Sequence, residues 1–591
     1  MPERISLSLE WPPSEPDNFR SDFFVGAWSP HCDLQVHFRP LPESTVRSVC
    51  SPRSFLASEG SSLHDPGRGL VHAAGDPAAP FSAVGFRGYL LNPALHGWCD
   101  PAAILAYWAN PPASFNGVFT AARILRDNRL ELISGSFGIA PLYYRTWNGI
   151  VLFATDARLL AAEGDTLDTL AGRAFMQAGY IFGNRTLSSG IQRVPPGHRL
   201  LFDASTTPAA FRWFSYGDLP PGDRPIDDDA VQEVEDAFQT AMDRCLRLPV
   251  SRRVLTLSSG YDSRRILAAL QSRRASFEAL TLRTIQKGCR DLDAPWASAM
   301  ARDFGFAHRV IELADPSQFA RDDRLGRHLT DAHVASMEHA WIMPVMRELP
   351  HRDALVFDGL GGDIFNNTGY ALPRLYACPE AEKLSLIADQ HLAPANLDRN
   401  LSRAFWPGIR ELREYFMNYL AELPEGKNRA DLAFLLMRAR QGTGVWSQTI
   451  VPAGHIPVQP YFDLDYVRVT FQFDPLHKIE RFLQDRCLAR FWPQYYAYPG
   501  SRRIPPQSKP GNPARLRRMR IACLRQLYAE AGTGPWYGAL RPWLSPRGYA
   551  ILLAAANSDA LAEKVNWWMY PLLSIGAHER SRTPCWRARP D

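Results

Sequence analysis

The sequence predicts an α/β protein in two large parts, an antiparallel β-rich N-terminal half followed by a domain built on a parallel sheet. Three observations carry that expectation. From Phe115 onward, short apolar runs alternate with Gly and Asn turns (FNGVFTAARIL, LELISGSFGIAPLYY, GIVLFAT), the pattern of antiparallel strands and hairpins. At Arg253 an apolar strand runs through a Ser/Gly turn into a helix, the opening unit of a parallel α/β sheet. Between them Ser215 to Ala230, SYGDLPPGDRPIDDDA, gathers prolines, glycines and acids as a linker does.

Taken in order, the first 80 or so residues are rich in Pro, Ser, Gly and His and show one strand-like run, Phe23 to Trp28. After the linker, Val231 to Leu248 places Val234, Phe238, Met242, Cys245 and Leu246 at helical spacing, which predicts an amphipathic helix. Arg253 to Leu257 is the first parallel strand and Arg264 to Leu270 its helix. Ala279 to Leu282 and a helix around Pro295 to Phe304 repeat the alternation, and Ala354 to Phe357 begins a third unit. No repeat of solenoid length is present.

The chain has 591 residues, 46% hydrophobic and 21% charged, enough apolar material for at least two cores and too much for a disordered chain. The net charge of +5 is too thin a surplus to predict a nucleic-acid or membrane partner. There is no basic start followed by an apolar run and no stretch of 18 apolar residues, so a soluble, cytoplasmic protein is expected. The nine cysteines are scattered and never form a CxxC pair, which suits reduced thiols better than disulfides or a zinc site. His333 and His339 are six residues apart and do not share a helix face, so they read as ordinary side chains.

The chemistry centres on LSSGYDSRR, Leu257 to Arg265. A turn of small residues between strand and helix gathers backbone N–H groups and the helix dipole into a concavity suited to phosphate oxygens. Ser258 and Ser263 add hydroxyls, and Asp262 adds a carboxylate suited to Mg²⁺. The segment is not GxxxxGK[ST], which excludes a Walker-type site, and an ordinary capped turn uses the same residues.

LSSGYDSRRILAAL resembles the SGGxDS pyrophosphate loop of the asparagine synthetase superfamily, whose members split ATP to AMP and pyrophosphate while activating a carboxylate. Ser259 stands at the usual middle glycine and would be strained if that position required a positive φ. VFDGLGGDIFNNTGY, Val356 to Tyr370, resembles the family's second loop, with Gly359, Gly361, Gly362 and Asp363 on matching positions. The resemblance makes Asp262 and Asp363 the Mg²⁺ pair. It assigns ATP and pyrophosphate to Leu257, Ser258, Ser259, Gly260, Asp262, Ser263, Leu282, Gly359, Gly361 and Gly362, with Leu257 and Leu282 lining the adenine. Leu360 and Ile364 occupy positions where relatives carry polar or acidic groups, so any base must come from elsewhere.

DAPWASAMARDFGFAH and PVQPYFDLDYV resemble two further family segments, with Asp293 at a glutamate position. Arg438 and Arg440 fall where the family has helix arginines, without an assigned role. SRRIPPQSKPG resembles the R-x-K-x-G loop, which puts Lys509 on the lysine that stabilises the adenylate and the oxyanion. The catalytic set implied is thus Lys509, Asp262 and Asp363, with ATP and Mg²⁺ required. In the N-terminal half, FNGVFTAARIL, SGSFGIAPLYY and TLSSGIQRVPPGHRL resemble the glutaminase-type, Ntn-hydrolase-like sandwich of these enzymes. Glutaminases need an N-terminal cysteine, whereas this sequence begins Met1-Pro2 and first shows a cysteine at Cys32, so glutamine hydrolysis is not expected.

The resemblance implies a glutaminase-like domain over 1–214, a linker over 215–230, an asparagine synthetase-like pyrophosphate-loop domain over 231–520 and a largely helical C-terminal extension over 521–591. Arg502 to Arg520 holds seven basic residues and no acid, beside Lys509, and Trp567 and Trp568 lie in the extension. These features suit a peptide-sized substrate. Together they resemble lasso-peptide macrolactam synthetases, which adenylate an Asp or Glu side chain of a precursor peptide and let its N-terminal amine attack. The implied partners are that precursor peptide, a leader-peptide-binding protein and a leader protease. Alternatives are an asparagine synthetase-like or β-lactam synthetase-like small-molecule ligase, a non-catalytic scaffold of the same fold, or, more remotely, an RNA-modifying enzyme.

Overall fold

The computed structural model describes residues 4–10, 23–39, 45–60, 71–92 except 75–76, 108–283 except 110–113, 293–312, 349, 354–498 with short breaks, and most of 521–589. The strands are β1 (Arg4–Glu10), β2 (Phe23–Trp28), β3 (Asp33–Arg39), β4 (Thr45–Ser51), β5 (Ser54–Gly60), β6 (Val71–Ala73), β7 (Phe81–Leu90), β8 (Gly117–Leu125), β9 (Leu130–Ser134), β10 (Tyr143–Trp147), β11 (Ile150–Ala154), β12 (Gln192–Arg193), β13 (His198–Phe202) and β14 (Ala209–Arg212) in the N-terminal part. All but β1 and β3 form antiparallel sheets of order β12-β10-β11-β2-β5-β4 and β14-β13-β9-β8-β7-β6.

Phe24 and Leu56 from one sheet and Ala122, Ile124 and Leu132 from the other share one buried cluster, so the two sheets pack face to face. The register follows from the alternation: Ala121 pairs with Ile133, and Leu152 with Ala27. Where the sequence shows a single strand-like run before residue 80, the structure has six. β2 matches that run, Phe23–Trp28. The hairpin β4–β5 and the strands β1, β3 and β6 escape notice because half-polar segments such as TVRSVCS lack a continuous apolar face.

The second part carries β15 (Arg253–Thr256), β16 (Glu278–Arg283), β17 (Ala307–Glu312), β18 (Ala354–Phe357) and β19 (His455–Val458) in a five-stranded sheet of order β17-β16-β15-β18-β19. Every pairing in it is parallel, as the strand–turn–helix alternation predicts. Leu255 pairs with Ala279 on one side and Phe357 on the other. The expected helices are present at Asp228–Leu246, Tyr261–Ser272 and Asp293–Phe304. The first is capped by Asp227, whose side chain accepts from the Ala230 N–H, and it buries Val234, Phe238, Met242 and Cys245.

Order and sequence together fix where a ligand can sit. The chain leaves β15 towards β16 and β17, then crosses back to place β18 and β19 on the other side. The loops after β15 and β18 therefore diverge at the carboxyl ends of adjacent strands, where open α/β sheets form their crevice.

The segment between the two parts is held at both ends of its length. Leu219 and Ile226 are buried in the main core, and Arg224 exchanges backbone hydrogen bonds with Gln472 (3.0 Å) and Asp474 (2.8 Å). At the far end, helices Pro546–Asn557 and Asp559–Ser581 precede β20 (Trp586–Ala588), which pairs antiparallel with β1 while β3 pairs parallel on its other side. Among the described residues no helix is long and apolar enough to cross a membrane, no cluster of three His, Cys, Asp or Glu side chains suits a metal, and Cys32, Cys50, Cys245, Cys378, Cys487 and Cys585 form no disulfide.

Candidate active site

The loop after β15 is organised by its own small side chains. Gly260 caps the helix Tyr261–Ser272 in an extended conformation. The Ser258 N–H donates to Ser263 Oγ (3.1 Å), the Gly260 N–H to Ser258 Oγ (3.1 Å), and the Ser259 N–H to Asp293 Oδ1 (2.7 Å). Ser259 Oγ donates to the same Asp293 oxygen at 2.7 Å. Ser259 is fully buried, and the only positive-φ non-glycine residues among those described are Asn128, Asn148 and Arg274. The strain that a serine at a glycine position would bear is therefore absent. Its hydroxyl is used instead, tying the turn to the first residue of the helix Asp293–Phe304. The three loop amides, of Ser258, Ser259 and Gly260, are thus bonded to Ser263, Asp293 and Ser258 in turn.

The loop after β18 packs directly on the first. A Cβ on Gly359 would stand 2.9 Å from the Ser263 backbone nitrogen, and one on Gly362 would stand 2.5 Å from Asp262 Cγ. Gly361 has φ +92°, a left-handed conformation that glycine adopts without cost, and a side chain there would meet the Phe462 ring. The two loops touch only because these positions lack side chains. They bring the Asp262 carboxylate against the residue that precedes Asp363.

Asp262 is oriented from behind. Its Oδ1 accepts from Gln484 Nε2 at 2.9 Å, and its backbone carbonyl accepts from the Tyr461 hydroxyl at 2.9 Å. Gln484 Oε1 in turn accepts from Arg265 (3.2 Å), a fully buried guanidinium ion-paired with Glu235 (2.8 Å). A guanidinium only donates and a carboxylate only accepts, so the Gln484 amide has one permitted orientation.

A further carboxylate lies where β18 ends. Asp358 accepts from the Leu360 N–H at 2.8 Å and from the Thr256 hydroxyl. Burial pushes its pKa up to about 6, with the nearby Asp363 charge adding to the rise and the two hydrogen bonds opposing it. Beside it Leu360 packs partly buried on an apolar cluster and Ile364 is buried, so neither offers a proton acceptor. Leu257 and Leu282 are both buried at the ends of neighbouring strands. Thr281 bridges them, donating to the Leu257 carbonyl at 2.7 Å and contacting His308 Nε2 at 2.9 Å.

Among the sequence-derived site residues, the structure thus gathers Ser258, Ser259, Gly260, Asp262, Ser263, Gly359, Gly361, Gly362 and Asp363 into one crevice, with Leu257 and Leu282 at its strand ends. Lys509, the basic cluster from Arg502 to Arg520, His333 and His339 lie outside the described residues. Arg440 sits away from the crevice, against the N-terminal part. The residues that sequence reasoning missed are Gln484, Asp358 and the Arg265–Glu235 pair. A buried Asp at the end of an apolar strand was the one local signal available for Asp358.

These geometric features fall inside a recognised domain. Residues 233–498 match the protein family described as asparagine synthase, a span that includes the parallel sheet and both loops. A curated relative is the glutamine-hydrolyzing asparagine synthetase 1 of Bacillus subtilis strain 168, 28% identical over 181 residues, which are 30% of this chain and 28% of the relative. The match therefore spans just over a quarter of that relative's length. Among solved structures, the allosteric regulatory enzyme of purine biosynthesis aligns at 8% identity over 51% of this chain and 76% of that one, with a TM-score of 0.20. Glutamine phosphoribosylpyrophosphate amidotransferase from B. subtilis, complexed with ADP and GMP, aligns at 9% identity over 58% and 76%, with a TM-score of 0.21. At those scores neither likeness bears on the fold.

Proposed function

We propose that this chain is an ATP-dependent amide ligase that adenylates a side-chain carboxylate of a precursor peptide and closes a lasso-type macrolactam with the peptide's own N-terminal amine. The observation that carries the ligase reading is the contact of the two loops across the sheet crevice, Gly362 against Asp262, within the domain that matches the asparagine synthase family. The donor set suits a hard divalent cation: Asp262 and Asp363 are carboxylates, and no thiol or imidazole competes among the described residues that form the loops. In this reading Asp262 and Asp363 hold Mg²⁺, which neutralises phosphate charge when bound.

The chain's own groups then act as follows. Ser258 to Gly260 and Ser263 bind the β- and γ-phosphates, and Leu257 and Leu282 pack on the adenine. The peptide carboxylate oxygen attacks the α-phosphorus and pyrophosphate leaves. The amine nitrogen attacks the acyl carbon, AMP leaves, and Lys509 stabilises the oxyanion formed in between. An α-amine of ordinary pKa near 8 is partly unprotonated at neutral pH, so an apolar Leu360 is tolerable for this nucleophile. The peptide reading is supported by that residue and by the basic stretch beside Lys509. A leader-binding protein and a leader protease would act before closure.

The test is incubation of the purified chain with ATP, Mg²⁺ and the candidate precursor peptide. Expected products are AMP, pyrophosphate and a peptide lighter by one water, all lost in Asp262→Ala and Asp363→Ala. AMP formed with free aspartate and ammonia, and no dehydrated peptide, would transfer the assignment to a small-molecule ligase. Full peptide cyclisation by both variants would defeat the catalytic assignment.

A further inference from the structure

Two arginines meet at the junction of the two parts, far from the nucleotide crevice in sequence and role. Arg193, on β12, is 4% exposed and Arg440 is fully buried. Arg193 donates to Gln441 Oε1 (2.7 Å) and to the Gly138 carbonyl; Arg440 donates to the Gly183 carbonyl (2.9 Å). Gln441 completes the junction by donating to the Ile181 carbonyl at 2.6 Å. No described carboxylate lies within ion-pairing distance of either guanidinium. Arg440 Nε and one of its terminal nitrogens have no described hydrogen-bond partner.

Such an arrangement is costly as it stands. An arginine stays protonated in proteins, so two buried positive charges cannot be relieved by losing protons. A buried charge without a counterion costs several kcal/mol in general, and like charges add to that. The neighbouring hydroxyls of Tyr216 and Tyr419 supply no compensation, because burial raises both pKa values and keeps them neutral. Burial and the Arg440 charge together push Arg193 down to about 9. The local backbone is irregular at the same place: Leu435–Ala439 forms a π-helical turn immediately before Arg440, a distortion that tends to mark ligand sites.

We infer that Arg193 and Arg440 form a buried binding site for a small monovalent anion, chloride or a compact carboxylate, which clamps the N-terminal β part to the parallel-sheet domain. The site is separate from the nucleotide crevice and independent of the reaction proposed for it. Arg193, held by the Gly138 carbonyl, contributes from one side and Arg440, held by the Gly183 carbonyl, from the other, so the anion's energy is felt as cohesion between the two.

Thermal unfolding of the full chain tests this, with chloride, bromide, formate or the bulky anion gluconate exchanged at constant ionic strength. The expected result is a saturable rise of about 2 °C or more as a small anion replaces gluconate, since a ligand that binds only the folded state raises its stability with concentration. Chloride and bromide acting without formate would identify a halide site; formate acting equally would identify a site that also takes a compact carboxylate. Arg440→Met should lose the dependence. If that variant does not fold, anomalous diffraction from bromide-soaked wild-type crystals decides, a peak between the two guanidinium groups being expected. Identical melting in all four anions, with no bromide peak there, would overturn the inference.

Discussion

Gln484 donates to the Asp262 carboxylate at 2.9 Å while accepting from the buried Arg265 at 3.2 Å. The pair forms a fixed relay from a core charge to the floor of the crevice between the two loops. Outer partners of metal-binding carboxylates usually govern affinity by holding the ligand in one orientation. Gln484→Leu is expected to raise the Mg²⁺ concentration needed for half-maximal AMP formation about tenfold, with the unfolding midpoint nearly unchanged. Gln484→Asn, too short to span both partners, should behave like the leucine variant. Unaltered Mg²⁺ dependence in both would remove the relay from the mechanism.

Gly362 offers a harsher perturbation of the same carboxylate. A methyl group there would lie 2.5 Å from Asp262 Cγ, and Asp262 cannot swing aside without leaving Gln484. Gly362→Ala should reduce AMP formation about a hundredfold, the scale of a displacement near 1 Å at a reacting centre. Steady-state kinetics alongside circular dichroism would separate this from unfolding, since Gly362 lies in a short helix compatible with alanine.

Asp358 should mark the pH dependence of the ligand-free protein. Its folded pKa, about 6, exceeds the ordinary carboxyl value of 3.8, so the folded state binds this proton more tightly than the unfolded chain does. The stabilisation this provides is complete below pH 4 and is lost as pH rises through 6. Asp358→Asn is therefore expected to match wild type near pH 4 and exceed it by about 1–2 kcal/mol at pH 8. Urea unfolding at the two pH values reads the difference. A gain at pH 4 that vanishes at pH 8 would contradict the assignment.

His391 predicts the opposite trend over an overlapping window. It is buried among the rings of Tyr180, Tyr370 and Phe416, with the Tyr180 hydroxyl at its Nδ1, and burial pushes its pKa down to about 3, with the Arg438 charge acting in the same sense. The unfolded chain takes up this proton first, so stability is full above the ordinary value of 6.5 and falls as pH drops towards 3. Below pH 6.5 the loss should approach about 1.4 kcal/mol per pH unit from this group, and His391→Phe should flatten the profile. An unchanged slope in that variant would show that other groups control the acid limb.

Legibility in the sequence followed the range of the interactions. The strand–turn–helix unit at Arg253 announces itself because its apolar run, small turn and capping are contiguous. The parallel sheet, the helix Asp228–Leu246 and the two glycine-rich loops share that property. The role of Ser259 was hidden because its partner, Asp293, lies 34 residues away, and the strain expected there presupposed a backbone shape that the loop does not adopt. Gln484 was hidden more deeply, on a helix whose only local signal is amphipathicity. The edge strands of the first 60 residues were obscured because hydrogen bonds to neighbours, more than an apolar face, hold them in place.

The pairing of β1 with β20 sets an order of events during synthesis. Leu7 finds its partner in Ala588, and Trp586, fully buried, packs in one cluster with Leu7 and Leu9. At translation rates of about 10 residues per second, roughly a minute separates the emergence of one edge from the other. During that interval β1 and β3 present an open hydrogen-bonding rim to the crowded surroundings of the ribosome. Trp586–Ala588 act as a latch on β1, joining segments about 580 residues apart in the chain.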